Sequence, residues 1–128
     1  MMSHYLLASI DMGEGRSELH QLLHLTGAEI SCNTLPAGVS IPFVHAHTEN
    51  EEIYLVLDGS GQLYVDGEEV VIRRGDCFRI DPQGLRCLRA AGDSPLRYVC
   101  IQVRAGSLGN FTQSDAVVLQ DGPKPSWL

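Results

Sequence analysis

The fold is decided by the stretch Gly38-Val-Ser-Ile-Pro-Phe-Val-His45-Ala-His47-Thr-Glu-Asn-Glu51-Glu52-Ile-Tyr-Leu-Val-Leu-Asp-Gly59. Two histidines at positions i and i+2 of an extended chain point to the same side of a sheet. Both imidazoles therefore reach one point, and a glutamate on the next strand can supply a third ligand. Two neutral imidazoles and one carboxylate form a facial triad that leaves open coordination positions, and the same set suits a catalytic zinc. By itself the stretch fits either a metal site inside a β-structure or a pair of surface histidines.

The chain around this stretch reads as short strands separated by turns. Asp66-Gly67 is the two-residue signal of a type I′ hairpin. Short strands at regular spacing predict an all-β sandwich or barrel. The residues from Leu19 to Leu25 fit a strand or a helix, and those from Asp115 to Gln120 fit one more strand. The predicted strands are Glu29–Leu35, Glu52–Leu57, Gln62–Val65, Glu69–Arg73, Cys77–Ile80, Leu85–Ala90 and Leu96–Arg104.

Composition narrows the class of partner. The 128 residues suit one domain, and 44% of them are hydrophobic. Sixteen acidic against nine basic residues give a formal net charge of -7. That balance argues against nucleic acid and against an anionic membrane as partner. A few arginines inside a pocket would still suit a small acidic ligand. We find neither a targeting signal nor a membrane span, and we read the four cysteines as reduced thiols, so we expect a cytoplasmic protein.

A second segment completes a resemblance to a known family. Gly75-Asp-Cys-Phe-Arg-Ile-Asp-Pro82-Gln-Gly84-Leu-Arg-Cys87 follows the first stretch. The two segments resemble, in order and separation, the two motifs of the cupin superfamily, although the gap from Gly75 to Pro82 is one residue longer than usual. The resemblance covers about residues 30 to 104. It implies a double-stranded β-helix, or jelly-roll, barrel within a single domain of residues 1–128, with a tail at about 106–128.

The resemblance also implies ligands. Glu52, rather than Glu51, keeps the six-residue gap to Gly59, so we expect His45, His47 and Glu52 to hold a divalent ion such as Fe, Zn, Ni or Mn. The family's second motif ends in a histidine that is the usual fourth ligand, and here that position is Cys87. Three readings of Cys87 stay open: a thiolate ligand, a pocket residue whose place at the metal is taken by water, or part of a site that has lost its metal.

Three further residues are pocket candidates. Tyr54 shares parity with Glu52 and either lies near the ion or packs in the core. By alternation, Arg89 falls on the same face of its strand as Cys87. Arg79 falls on the face opposite to that of Phe78 and Ile80. An inward arginine would clamp a substrate carboxylate, and an outward one would pair with a surface acid.

The resemblance leaves function open between two classes. One is a metal-dependent enzyme, a dioxygenase or an isomerase or lyase, that acts on a small polar organic molecule inside the barrel. The other is a non-catalytic module that binds or senses a small ligand. No nucleotide or other organic cofactor motif is present. Cupins of this kind commonly pair through an outer sheet, so we expect a homodimer, with the tail from Pro123 to Leu128 able to reach a partner.

Overall fold

The structure is a computed structural model that describes residues 3–11, 13 and 15–128. It consists of two antiparallel sheets, which confirms the predicted all-β class. The eight strands are β1 (Arg16–Glu18), β2 (Glu29–Leu35), β3 (Asn50–Asp58), β4 (Ser60–Val65), β5 (Glu68–Arg73), β6 (Cys77–Ile80), β7 (Arg86–Ala90) and β8 (Leu96–Arg104). The five-stranded sheet has the order β1-β2-β8-β3-β6, and the three-stranded sheet has the order β5-β4-β7.

Turn chemistry explains where the strands end. Asp66 and Gly67 have φ angles of 50° and 90°, so the hairpin between β4 and β5 has the two left-handed residues that the sequence predicted. Gly59 separates β3 from β4 with φ of 81°, and a Cβ there would collide with the carbonyl oxygen of Pro95. A glycine is therefore required where the chain crosses from one sheet to the other.

The sequence left the secondary structure of two segments open, and the structure resolves both. Leu19–Leu23 forms a short helix, α1, one of the two forms that the sequence allowed. Thr112–Ser114 is a 3-10 helix, and residues 115–120 form no strand. The strand predicted at Asp115 to Gln120 was wrong because an extended segment counts as a strand only when a neighbouring strand hydrogen-bonds to it, and none of the described residues pairs with this one.

The core lies between the sheets and is apolar at one end and polar at the other. Its buried apolar residues are Tyr54, Val56, Leu63, Ile72, Ile80, Leu88, Ala90, Leu96, Tyr98 and Cys100. The buried polar residues are Ser31, Asn33, Glu52 and Arg86. Buried polar groups need partners, so this polar end is where a functional site is expected.

The outer side of the five-stranded sheet is also apolar. In the middle of β2, β8 and β3 the residues that alternate with the buried ones are aliphatic or cysteine, and they face each other across the strands in the pairs Ile30↔Ile101, Cys32↔Val99, Ile53↔Ile101 and Leu55↔Val99. We call these six residues the outer apolar face. A sheet with one solvated face alternates apolar and polar residues, so an apolar residue on both sides is unusual here.

Two further observations concern the whole described chain. None of its helices has the length and apolar character that crossing a membrane requires. All four cysteines are free, as the sequence predicted.

Candidate metal centre

The segment between β2 and β3 carries the two histidines and is fixed to the opposite sheet. His45 and Arg86 exchange both backbone hydrogen bonds, at 3.1 and 3.0 Å, and the His47 N–H donates to the carbonyl of Pro82 at 2.8 Å. Glu52 stands on β3, in the other sheet, and is 3% exposed. The backbone hydrogen bonds of the two histidines and the position of Glu52 in the opposite sheet thus set the distance between these side chains across the barrel.

The structure brings His45, His47 and Glu52 together. One ligand atom from each lies within 4.8 Å of the others, and the Nε2 atom of His47 is 3.2 Å from the Oε2 atom of Glu52. Ions such as zinc bind nitrogen and oxygen ligands at about 2.0–2.2 Å, so atoms around one ion lie about 3–4 Å apart. His45 Nδ1 and His47 Nε2 are buried and have no hydrogen-bond partner. Unpartnered buried nitrogens are rare in proteins, and a metal ion would satisfy both.

Glu52 is held by three side chains. Its Oε1 atom accepts a hydrogen bond from the Tyr54 hydroxyl at 2.9 Å and lies 3.2 Å from the Nε atom of Arg86, an ion pair whose N–H is not aligned for a hydrogen bond. Its Oε2 atom accepts from the Cys100 thiol at 3.4 Å. Oε1 therefore faces the protein, while Oε2 is the oxygen turned toward the imidazoles.

Burial keeps the neighbouring groups uncharged. It lowers the pKa of His45, where Glu52 acts in the opposite direction and His47 and Arg86 act in the same one. Burial, helped by Glu52, raises the pKa of Cys100 to about 12. It also raises the pKa of Tyr54. His45 is thus neutral, the form that binds metals, and the phenol and thiol keep the protons that they donate to Glu52.

A cavity of about 590 Å³ opens onto this cluster. Its size is that of a small-molecule site. Its walls combine apolar side chains such as Leu35, Ile41 and Phe43 with a few polar ones, among them Arg16, Asn33 and Gln102. The arrangement suits one small organic molecule beside the three candidate ligands.

Cys87 and the two arginines predicted for the pocket lie elsewhere. Cys87 is on the outer side of β7, where its thiol donates to the carbonyl of Ile41 at 3.2 Å and lines a separate surface groove. Arg89 lies on the same outer side and bonds Gln62. Arg79 is exposed and pairs with Asp81 at 3.0 Å. Of the pocket candidates, Tyr54 alone reaches the cavity.

The residue that the sequence reasoning missed is Arg86. Strand β7 alternates, with Arg86, Leu88 and Ala90 buried and Cys87 and Arg89 facing out. Counting from Pro82 placed Cys87 inward, whereas the family's usual spacing counted from Gly75 reaches Arg86, because the gap from Gly75 to Pro82 has one extra residue. The available signal was that Leu88 and Ala90 are apolar and share a face of the strand with Arg86, which indicates that this face is the buried one. A one-residue slip turns every side chain to the other face.

Known proteins resemble the chain over half of its length or more. The crystal structure of a cupin protein from Bacteroides fragilis is 50% identical, with a TM-score of 0.89, over 92% of this chain and 99% of that one. That of a predicted oxalate decarboxylase from Thermotoga maritima is 24% identical, with a TM-score of 0.62, over 70% and 78%. An uncharacterized protein of Methanocaldococcus jannaschii is 33% identical over 66 residues, and the match spans about half of each chain.

The family model for the cupin domain matches residues 33–102, which include both histidines, Glu52 and Arg86. This match covers more than half of the chain, and the Bacteroides fragilis structure extends the likeness to nearly all of it. The chain belongs to the cupin domain family.

Proposed function

We propose that this cupin binds one divalent metal ion through His45, His47 and Glu52 and acts as an enzyme on a small polar organic molecule in the adjoining cavity. The observation that carries the proposal is the pair of buried, unpartnered ring nitrogens beside a buried carboxylate oxygen. A divalent ion at this point supplies Lewis-acid polarisation of a substrate oxygen or, if it is iron, a site for oxygen chemistry. The reaction classes that fit are those of a dioxygenase and of an isomerase or lyase.

The protein's own residues would prepare the site for that chemistry. Tyr54 and Cys100 orient Glu52, and the lining residues Phe43 and Ile41 exclude water from one side of the cavity. The metal is expected to be Fe, Zn, Ni or Mn, since imidazole and carboxylate ligands suit all four.

Metal analysis tests the binding part of the proposal. Untagged wild-type protein is expected to hold about one ion per chain, and His45→Ala and His47→Ala are expected to lose it. His20→Ala, which removes an exposed histidine of α1, is the matched control and should keep the ion. An ion content that is unchanged in both site variants would contradict the proposal.

One observation favours the alternative, a non-catalytic module that binds or senses a small ligand. Among the described residues that line the cavity, Glu52 is the only carboxylate and His45 and His47 are the only imidazoles. If all three bind metal, no free carboxylate or imidazole of the described cavity lining is left for proton transfer. Oxygen uptake and product formation with keto acids, thiols and phenols separate the two: a protein that holds metal and binds ligands without turnover is a binding module.

We also propose that two copies of the chain meet through the outer apolar face. The six residues of this face carry no charge, and Arg79, which lies opposite Ile53 at its edge, is paired with Asp81, so two chains of net charge -7 could meet there without contact between like charges at its centre. A two-fold interface uses the same patch on both copies. The terminal segments add exposed apolar residues, with Leu7, Val117 and Trp127 each more than 80% exposed. Such exposure is costly in a monomer, which supports a second copy as the partner.

The remaining expectations stay predictions. One domain over residues 1–128 fits the two packed sheets, and four free cysteines suit a reducing compartment such as the cytoplasm.

A further inference from the structure

Arg86 is a fully buried cation beside the candidate metal ligands. It is 1% exposed, and its two terminal nitrogens donate to the carbonyl oxygens of Pro82 at 3.3 Å and Asp81 at 3.0 Å. Both carbonyls belong to the turn that joins β6 to β7. A buried charge needs compensation, and here Glu52 supplies it through Oε1 at 3.2 Å. The guanidinium is thus held by the backbone on one side and by Glu52 on the other, behind the carboxylate and outside the cavity lining.

Arg86 changes the charge of the centre. The two imidazoles contribute no charge when they bind a metal, and Tyr54 and Cys100 are the donors in their hydrogen bonds to Glu52 and so bring no charge of their own. Glu52 carries one negative charge and Arg86 one positive charge, so the ligands and their immediate support sum to zero. A divalent ion bound there keeps its full charge of two.

The rest of the cavity adds no negative charge. Among the described residues that line the cavity, the one charged side chain besides the candidate ligands is Arg16, which is positive. At the rim, Glu18 pairs with Arg16 at 2.9 Å. The apolar walls lower the local dielectric and strengthen this field. With a divalent ion bound, the cavity of this otherwise acidic protein is therefore positive.

We propose that Arg86 makes this centre selective for anionic oxygen ligands, small carboxylates above all, an inference that rests on the metal site proposed above. An anion at an open position of the ion neutralises the charge that Arg86 leaves uncompensated. A neutral ligand of the same shape gains none of this energy. Arg86 acts through the field and through the placement of Glu52 and does not need to touch the substrate.

Binding of acetate to the cobalt(II) form tests the inference. Metal-free wild-type protein is loaded with cobalt(II) and titrated with acetate, and with acetamide as the uncharged match, while the visible absorption of the cobalt is recorded. The same titrations are run on Arg86→Met, which removes the charge, and on Arg86→Lys, which keeps it.

The wild-type protein is expected to bind acetate roughly tenfold or more tightly than acetamide, because one charge acts at close range in a low dielectric. Arg86→Met is expected to lose roughly tenfold in acetate affinity and to bind cobalt(II) at least as tightly as the wild type, because a repulsive charge is gone. Arg86→Lys should keep the preference for acetate.

Three results would overturn the inference. The first is equal binding of acetate and acetamide by the wild type, which decides the matter even if Arg86→Met does not fold. The second is unchanged acetate affinity in Arg86→Met, and the third is loss of the acetate preference in Arg86→Lys. If wild-type protein takes up no cobalt(II) at all, the metal site itself falls, and this outcome is distinct from the other three.

Discussion

Arg86 lies directly opposite His45 in an antiparallel bridge, and each residue donates its backbone N–H to the other's carbonyl oxygen. Residues paired in this way project their side chains to the same face of the sheet. His45 faces the cavity, so Arg86 faces the interior as well, and Cys87 is directed outward. This one relationship determines which side chain stands beside the metal ligands and leads to the first prediction.

Cys87→Ser is expected to leave the metal content unchanged. The thiol lies on the outer side of β7 and contacts the carbonyl of Ile41, so serine loses at most a weak hydrogen bond. Elemental analysis of the purified variant beside wild type and His47→Ala checks the prediction. Loss of metal from the serine variant alongside the histidine variant would make Cys87 a ligand after all.

Glu52→Gln is expected to lower the free energy of unfolding by about 3–5 kcal/mol, because it leaves the buried Arg86 without its counter-charge. The double variant Glu52→Leu with Arg86→Met removes both charges and should be more stable than Glu52→Gln. Urea denaturation of the metal-free proteins measures both values. A single variant as stable as the wild type would show that the pair contributes nothing.

The metal-free protein is expected to lose stability as the pH falls below about 6.5. The pKa of His45 is below its ordinary value of 6.5 in the folded chain, so the unfolded chain binds this proton more readily. The contribution of His45 is complete above pH 6.5 and is lost as the pH falls through the lower, folded-state pKa. His45→Gln should show a smaller fall in urea midpoint between pH 7.5 and 5.5. His20→Gln, on the exposed helix α1, should behave like wild type, and identical curves for all three proteins would contradict the prediction.

Cys100 is expected to resist alkylation in the folded protein. It is buried, and its pKa is raised to about 12, so at pH 8 almost no reactive thiolate exists. Peptide mapping after iodoacetamide treatment should find Cys100 unmodified in buffer and modified in urea. Modification at equal rates in both conditions would mean that the thiol does not donate to Glu52.

Leu55→Asp is expected to convert a dimer into a monomer. The side chain lies on the outer apolar face and is 38% exposed, so the barrel tolerates aspartate while two copies of the face do not. Val71→Asp, on the other sheet and also exposed, is the matched control and should stay dimeric. Sedimentation equilibrium measures the masses, and a monomeric wild type would remove the proposed interface.

Much of the fold could be predicted from the sequence because its signals are local. Alternating strands and the Asp66-Gly67 turn need no distant information, and the strand ends differ from the prediction by only a few residues. The segment from Leu19 to Leu25 stayed ambiguous because so short an apolar segment fits both the helical and the strand period. Asp115 to Gln120 has the composition of a strand, but a strand also needs a partner that composition cannot provide.

The sequence predicted the part of the candidate site that depends on local chain geometry and motif spacing. His45 and His47 share a face for a local reason, and the spacing to Gly59 selected Glu52. The fourth position depended on the register of β7, and the extra residue between Gly75 and Pro82 makes a count from Gly75 end at Arg86 and a count from Pro82 end at Cys87. Motif counting measures distance along the chain, whereas the structure depends on which face of β7 each residue occupies.

The support of Glu52 by Tyr54, Arg86 and Cys100 has a consequence for how quickly the site would exchange its ion. A free glutamate side chain gives up rotamer entropy worth up to about 1.5–2 kcal/mol when it is ordered. In this barrel that loss accompanies folding, since the three contacts fix the carboxylate without any ion. The empty and loaded proteins should therefore have almost the same shape, and the exchange rate should be governed by how readily the ion sheds its water.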